Sequence, residues 1–171
     1  GMNDITSAYI DLIEEKPKNK VITANQVAKI TTAPHTINYD KVKQKTAGII
    51  EINGEIVSPG YTFEDFQKSA FFDGQDGIRV IRIKDTVKIE DNNYVVSFFF
   101  RNKILYMLSI ICIDIDIPFS EEIKRKQFHD EILEKNGLST ESFFDWGNIK
   151  SVYDPKGNVS SINIIYNAGM Q

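Results

Sequence analysis

From about Thr46 onward the chain falls into short apolar runs of period two, separated by tight polar turns, and this constrains the fold more than any other feature. Period two places successive side chains on opposite faces of a strand. Short connections force sequence neighbours to run antiparallel. Ile49 to Ile52, then Asn53-Gly54, then Glu55 to Val57 is the sharpest instance, because a type I′ turn needs positive φ at both central residues. Ile78 to Ile89, Tyr94 to Phe100 and Ile104 to Ile117 read as three or four further strands, turning at Asp91-Asn92-Asn93 and Arg101-Asn102-Lys103. A last hairpin joins Ile149–Tyr153 to Val159–Tyr166 through Asp154-Pro155-Lys156-Gly157.

Helices punctuate this pattern. Ile5, Ala8, Tyr9, Leu12 and Ile13 form a helical stripe that Lys16-Pro17 ends. Thr23 and Gln26 spell a capping box for a second, short helix. Thr62 caps a helix carrying Phe63, Phe66, Ala70 and Phe71. Ser120 is read as the cap of a longer one, with Glu121 and Glu122 in its first turn and Gly137 just past its end. On that helix Glu121 and Arg125, Glu122 and Lys126, and Glu131 and Lys135 sit at i,i+4 spacing. Ser139 to Trp146 reads as a short aromatic helix. The expectation is an α+β fold: an antiparallel meander sheet of about seven strands with segregated helices and an N-terminal helical arm. The arm spans 2–45, the sheet domain 46–171, and the two form one compact unit. The density of Phe98 to Phe100 and Ile110 to Ile113 suggests central strands covered on both faces.

At 171 residues the chain can bury a core without a staple, and its single cysteine, Cys112, neither pairs internally nor builds a multi-cysteine zinc site. No apolar run is long enough to span a membrane. Gly1 ahead of Met2 reads as a tag remnant. The residues that follow lack the basic and apolar regions of a secretory signal, so a cytoplasmic location is expected. Charge is uneven: residues 16–45 hold seven lysines against Asp40 alone, a balance of +6 that leaves −10 elsewhere in a chain of net charge −4.

Candidate chemistry is sparse. Asp114 and Asp116 alternate with isoleucines, so both carboxylates fall on one face of the expected strand, their Cα atoms about 6.6 Å apart at two strand steps. Such a pair can flank a glycosidic bond or hold a hard cation, which makes a hydrolase one alternative. A solvent-facing strand has the same pattern, and no further oxygen ligands lie nearby. His129 lies on or beside the buried helical stripe with no nucleophile to serve. Cys112 sits among isoleucines, where burial raises a thiol pKa and keeps it inert. The phosphate-cradling glycine loops, zinc-protease and hydrolase-elbow motifs are missing. Accordingly no catalytic residue, metal or cofactor is expected.

Two resemblances bear on function. The segment Ile22-Thr23-Ala24-Asn25-Gln26-Val27-Ala28-Lys29-Ile30, with Pro34-His35-Thr36-Ile37-Asn38, resembles the start of the helix-turn-helix of small bacterial repressors. That likeness implies a DNA-binding regulator using residues 22–40, with Lys29, His35, Asn38, Lys41, Lys43 and Lys45 as nucleic-acid contacts. The run from Trp146 to Gly157, ending in Ile162-Asn163-Ile164-Ile165-Tyr166, forms the second together with the Asn53-Gly54 hairpin and Tyr61 to Phe66. It resembles a group of small uncharacterised bacterial α+β proteins that includes immunity proteins of toxin systems. That likeness implies a non-catalytic interaction protein whose partner is another protein. An immunity protein needs only a complementary surface, often acidic, around a few aromatic anchors. Candidates are Asp114, Asp116, Glu141 and Asp145, with Trp146 and Tyr153 as anchors. This interaction reading ranks first, DNA binding second and hydrolysis by Asp114 and Asp116 last.

Overall fold

The computed structural model describes residues 46–167. The expected helical arm, and with it Lys29, His35, Asn38, Lys41, Lys43 and Lys45, lies outside them. Asn53-Gly54 makes the anticipated hairpin turn, with φ of 48° and 87°, between β1 (Ile50–Ile52) and β2 (Glu55–Val57). These two strands form a sheet of their own. Helix α1 (Phe63–Gln67) opens on a capping box: Thr62 Oγ1 accepts from the Asp65 amide at 3.1 Å, and Asp65 Oδ2 accepts from the Thr62 amide at 2.9 Å. It ends before Ala70 and Phe71, one turn shorter than expected.

Seven strands make the main sheet. They are β3 (Ile81–Arg82), β4 (Val87–Ile89), β5 (Asn92–Arg101), β6 (Ile104–Cys112), β7 (Glu141–Phe144), β8 (Gly147–Asp154) and β9 (Val159–Tyr166). All pairings are antiparallel, in the order β3-β5-β6-β9-β8-β7, with β4 on the same edge of β5 as β3. The α+β architecture and its large antiparallel sheet are therefore as expected. The order departs from a simple meander at one point, where β6 neighbours β9 and the chain between them leaves the sheet. That excursion contains a 3-10 turn (Phe119–Glu121) and helix α2 (Ile123–Lys135).

Several local expectations are corrected. Of the three or four strands expected over these runs four form, because Ile78 to Ile89 bends at Lys84-Asp85 between β3 and β4. Ser139 to Trp146 is not a helix: Glu141 to Phe144 pairs with Lys150 to Gly147 instead. The short apolar run satisfied either period, and the neighbouring β8 decided it. Ser120 does not cap α2. The position before Ile123 is Glu122, which makes no side-chain capping bond and gives its carboxylate to Arg125 Nε at 3.1 and 3.2 Å. The first-turn ion pairs accordingly fall at i,i+3, Glu121 with Lys124 and Glu122 with Arg125, and Lys126 pairs with Asp130.

The core lies on one face of the sheet. Tyr94, Val96, Phe98 and Phe100 alternate inward along β5, and Leu105, Leu108, Ile110 and Cys112 do so along β6. The register slips once, at Phe99/Phe100. Beneath α1, Phe66 meets Phe98 at 5.0 Å and Phe63 meets Phe100 at 5.5 Å between ring centroids. Val95, Phe99, Met107 and Ile111, on the opposite face, are only half-buried, so the expected double coverage is not found among the described residues.

Candidate functional site

The two aspartates singled out from sequence do not share a strand face. β6 ends at Cys112, and the chain bends at Asp114-Ile115. Asp114 closes that bend: its Oδ2 accepts from the Asn93 amide at 2.9 Å and its Oδ1 from Asn93 Nδ2 at 3.0 Å. Both aspartates are exposed. The strand geometry that made them a carboxylate pair is thus corrected, because the alternation stops where the ladder hydrogen bonds stop. Among the described residues no group of three or more histidine, cysteine, aspartate or glutamate side chains could hold a metal ion.

His129 is fully buried on α2, and its Nε2 accepts from the Cys112 amide at 3.0 Å. The ring proton therefore sits on Nδ1, which has no hydrogen-bond partner. Burial, aided by the Arg125 guanidinium, holds its pKa down at about 4. Burial likewise pushes the Cys112 thiol upward. Arg125 Nη1 donates to the Cys112 carbonyl at 2.5 Å and to the Ile115 carbonyl at 3.4 Å. These bonds tie the end of β6 to α2, and they present no reacting group to solvent.

The remaining predicted contacts are spread over the sheet. Glu141 lies exposed at the start of the edge strand β7. Asp145 occupies the β7–β8 turn, where its carbonyl accepts from Asn167 Nδ2 at 3.2 Å. Trp146 is packed rather than displayed: its ring stacks on Phe144 at 5.1 Å, meets Tyr166 at 5.3 Å, and its Nε1 donates to the Thr46 carbonyl at 2.8 Å. Tyr153 sits near the far end of β8, about 23 Å away at seven strand steps, and its hydroxyl bonds Asn158 Oδ1 at 2.7 Å.

Around Tyr153 the structure assembles a surface that sequence reasoning missed. Asn158 Nδ2 donates to the Phe119 carbonyl at 2.7 Å. The Ser160 amide donates to Glu122 Oε2 at 3.1 Å, and Ser160 Oγ reaches the Glu122 carbonyl at 3.2 Å. These bonds clamp the 3-10 turn onto the start of β9; Phe119 is 78% exposed, and Ile123 and Val159 are partly exposed. Asp116 lies just upstream in the chain. The available signal was Phe119 itself, a large aromatic between Pro118 and a polar helix start.

A second feature is concave. At the C-terminal end of α2, between the helix, the buried sheet face and the lead into β1, lies a cavity of about 90 Å³. Its walls are Ile110, Ile149, Ile162 and Ile164 of the sheet and Ile132 and Leu133 of α2. Trp146 also lines it, so a residue expected at a surface contributes to an interior wall. Comparison with protein-family models, curated proteins and solved structures finds no match to this chain.

Proposed function

We propose that this chain is a cytoplasmic, non-catalytic interaction protein of the immunity type, which neutralises a partner protein through the surface centred on Phe119. The observation that carries this reading is Phe119, 78% exposed, on a 3-10 turn whose Phe119 carbonyl is held by the same Asn158 that bonds the Tyr153 hydroxyl. A large solvent-facing aromatic on a backbone already held in place loses little backbone freedom on binding, which suits an interface anchor. Charge supports a basic partner: residues 46–167 carry 13 Lys and Arg against 19 Asp and Glu, a net −6. Of the residues named from sequence, Tyr153 adjoins this surface through its bond to Asn158, whereas Asp145 and Trp146 lie toward the other end of β8. The buried, tautomer-locked His129 and the spent carboxylate of Asp114 give the hydrolase alternative no support.

The test is co-expression with the product of the adjacent reading frame. A complex that survives moderate salt, together with relief of that product's toxicity, supports the proposal. Loss of both in Phe119→Asp assigns the surface. A toxic neighbour that is neither bound nor relieved overturns the reading.

A further inference from the structure

One face of the main sheet buries the core, and the other is not built like a face meant for water. An antiparallel sheet with a solvated side alternates apolar inward and polar outward. Here the outward positions of β5 and β6 include Val95, Phe99, Met107 and Ile111, all half-buried. The strand registers join such residues into rows. Phe99 sits opposite Met107, Met107 opposite Ile165, Ile165 opposite Asn148, and Asn148 opposite Phe143. One row thus carries four apolar side chains across five strands, from β5 to β7. Phe143, at its end, is 51% exposed. Val95 and Ile111 pair in a second row, with Ser97 and Ser109 paired between the two. Both described helices lie on the other face: α1 meets Phe98 and Phe100, and Ile132 and Leu133 of α2 join the core cluster with Ile162 and Ile164.

We propose that this open face is the docking site of the chain's own N-terminal amphipathic stretch, Ile5 to Ile13, which supplies the second layer over the central strands. That stretch carries Ile5, Ala8, Tyr9, Leu12 and Ile13 at helical spacing. Such a stripe needs an apolar surface, because a helix this short is marginal in water by itself. The described residues begin at the right corner of the sheet. The Thr46 carbonyl is held by Trp146 Nε1 at 2.8 Å. Trp146 precedes Gly147, which pairs with Phe144 and Tyr166, one residue step from the row of Phe143, Asn148 and Ile165. Reach is not limiting. Residues 17–45 span up to roughly 95 Å when extended, whereas the row crosses roughly 19 Å at four strand spacings. Tethering selects this occupant over a second copy. A segment of the same chain acts at an effective concentration of order millimolar, and a second copy acts only at the total protein concentration. Phe119 lies on the excursion between β6 and β9 and takes no part, so this proposal does not rest on the interaction reading.

The experiment uses the full chain with isotopically labelled methyl groups. Nuclear Overhauser contacts are expected from Leu12 or Ile13 to Met107 or Ile165. A sample mixing labelled with unlabelled chains separates contacts within a chain from contacts between chains, and the expected ones fall within. Leu12→Glu puts a charge on the stripe and should abolish them, while a soluble gadolinium chelate then broadens the Met107 and Ile165 methyl signals more than in the unaltered chain. The methyls of Ile162 and Ile164, each 2% exposed on the other face, should be unaffected, which separates undocking from unfolding. The proposal is overturned if the unaltered chain shows no contact from residues 5–13 to the open face. It is equally overturned if the contacts arise only between chains, which would make a second copy the occupant, or if Leu12→Glu changes neither contacts nor broadening. The contacts in the unaltered chain need no variant, so an unfolded Leu12→Glu leaves the proposal falsifiable.

Discussion

The hydroxyl of Tyr166 donates to the Gly48 carbonyl at 2.9 Å across 118 positions of sequence, joining the last strand to the segment that leads into the first. Tyr166 is fully buried, and burial pushes its phenol pKa well above the ordinary value. Tyr166→Phe keeps the ring against Trp146 but strands a carbonyl, so a loss of about 1–2 kcal/mol is expected. Urea denaturation with an unchanged m-value checks it.

Gly147 is a sharper test of backbone packing. A Cβ there would lie 1.8 Å from the Ile165 carbonyl oxygen, and φ is +153°. Backbone of a paired strand cannot yield as a flexible side chain can. Gly147→Ala should therefore cost about 3 kcal/mol or more, seen as a collapse of the thermal midpoint. A midpoint close to that of the unaltered chain would show that β8 and β9 can separate at no cost.

His129 makes stability depend on pH. Its folded pKa of about 4 lies below the ordinary 6.5, so between those values the unfolded chain binds a proton that the folded chain excludes. Stability is fully present above about pH 6.5 and falls as pH drops through the window, by about 2 kcal/mol at pH 5. His129→Gln, uncharged throughout, should remove that part of the slope. Chemical denaturation at pH 7 and pH 5 measures it, and equal slopes in the two proteins would refute the assignment.

Phe119 should matter for binding and hardly at all for folding. Its side chain is 78% exposed, and Asn158 holds its carbonyl rather than its ring. Phe119→Asp is expected to change stability by no more than about 0.5 kcal/mol while weakening the partner complex by about 2 kcal/mol or more. Calorimetric titration against the purified partner reads the second quantity.

What could be read without coordinates is local chemistry. Asn53-Gly54 declared its turn because few residues accept positive φ, and the polar run Arg101-Asn102-Lys103 marked the β5–β6 turn, where Asn102 and Lys103 take φ of 52° and 65°. Thr62 announced the cap of α1, and the apolar setting of Cys112 announced its burial. Each depends on residues a few positions apart. Ser139 to Trp146 was ambiguous because four paired residues carry too few repeats to separate two periods, and β8 resolved it. Asp114 left the strand because nothing in Ile113 to Ile117 marks where a neighbour stops bonding.

Sequence alone determined the antiparallel α+β class and the tight turns, since backbone sterics and side-chain periodicity act over a few residues. Only the tertiary structure decided that β6 lies beside β9, that Asn158 bonds the Phe119 carbonyl, and that Asn136 is buried with its Oδ1 unpaired. Those outcomes depend on which distant surfaces pack together and which polar atoms that packing leaves without partners.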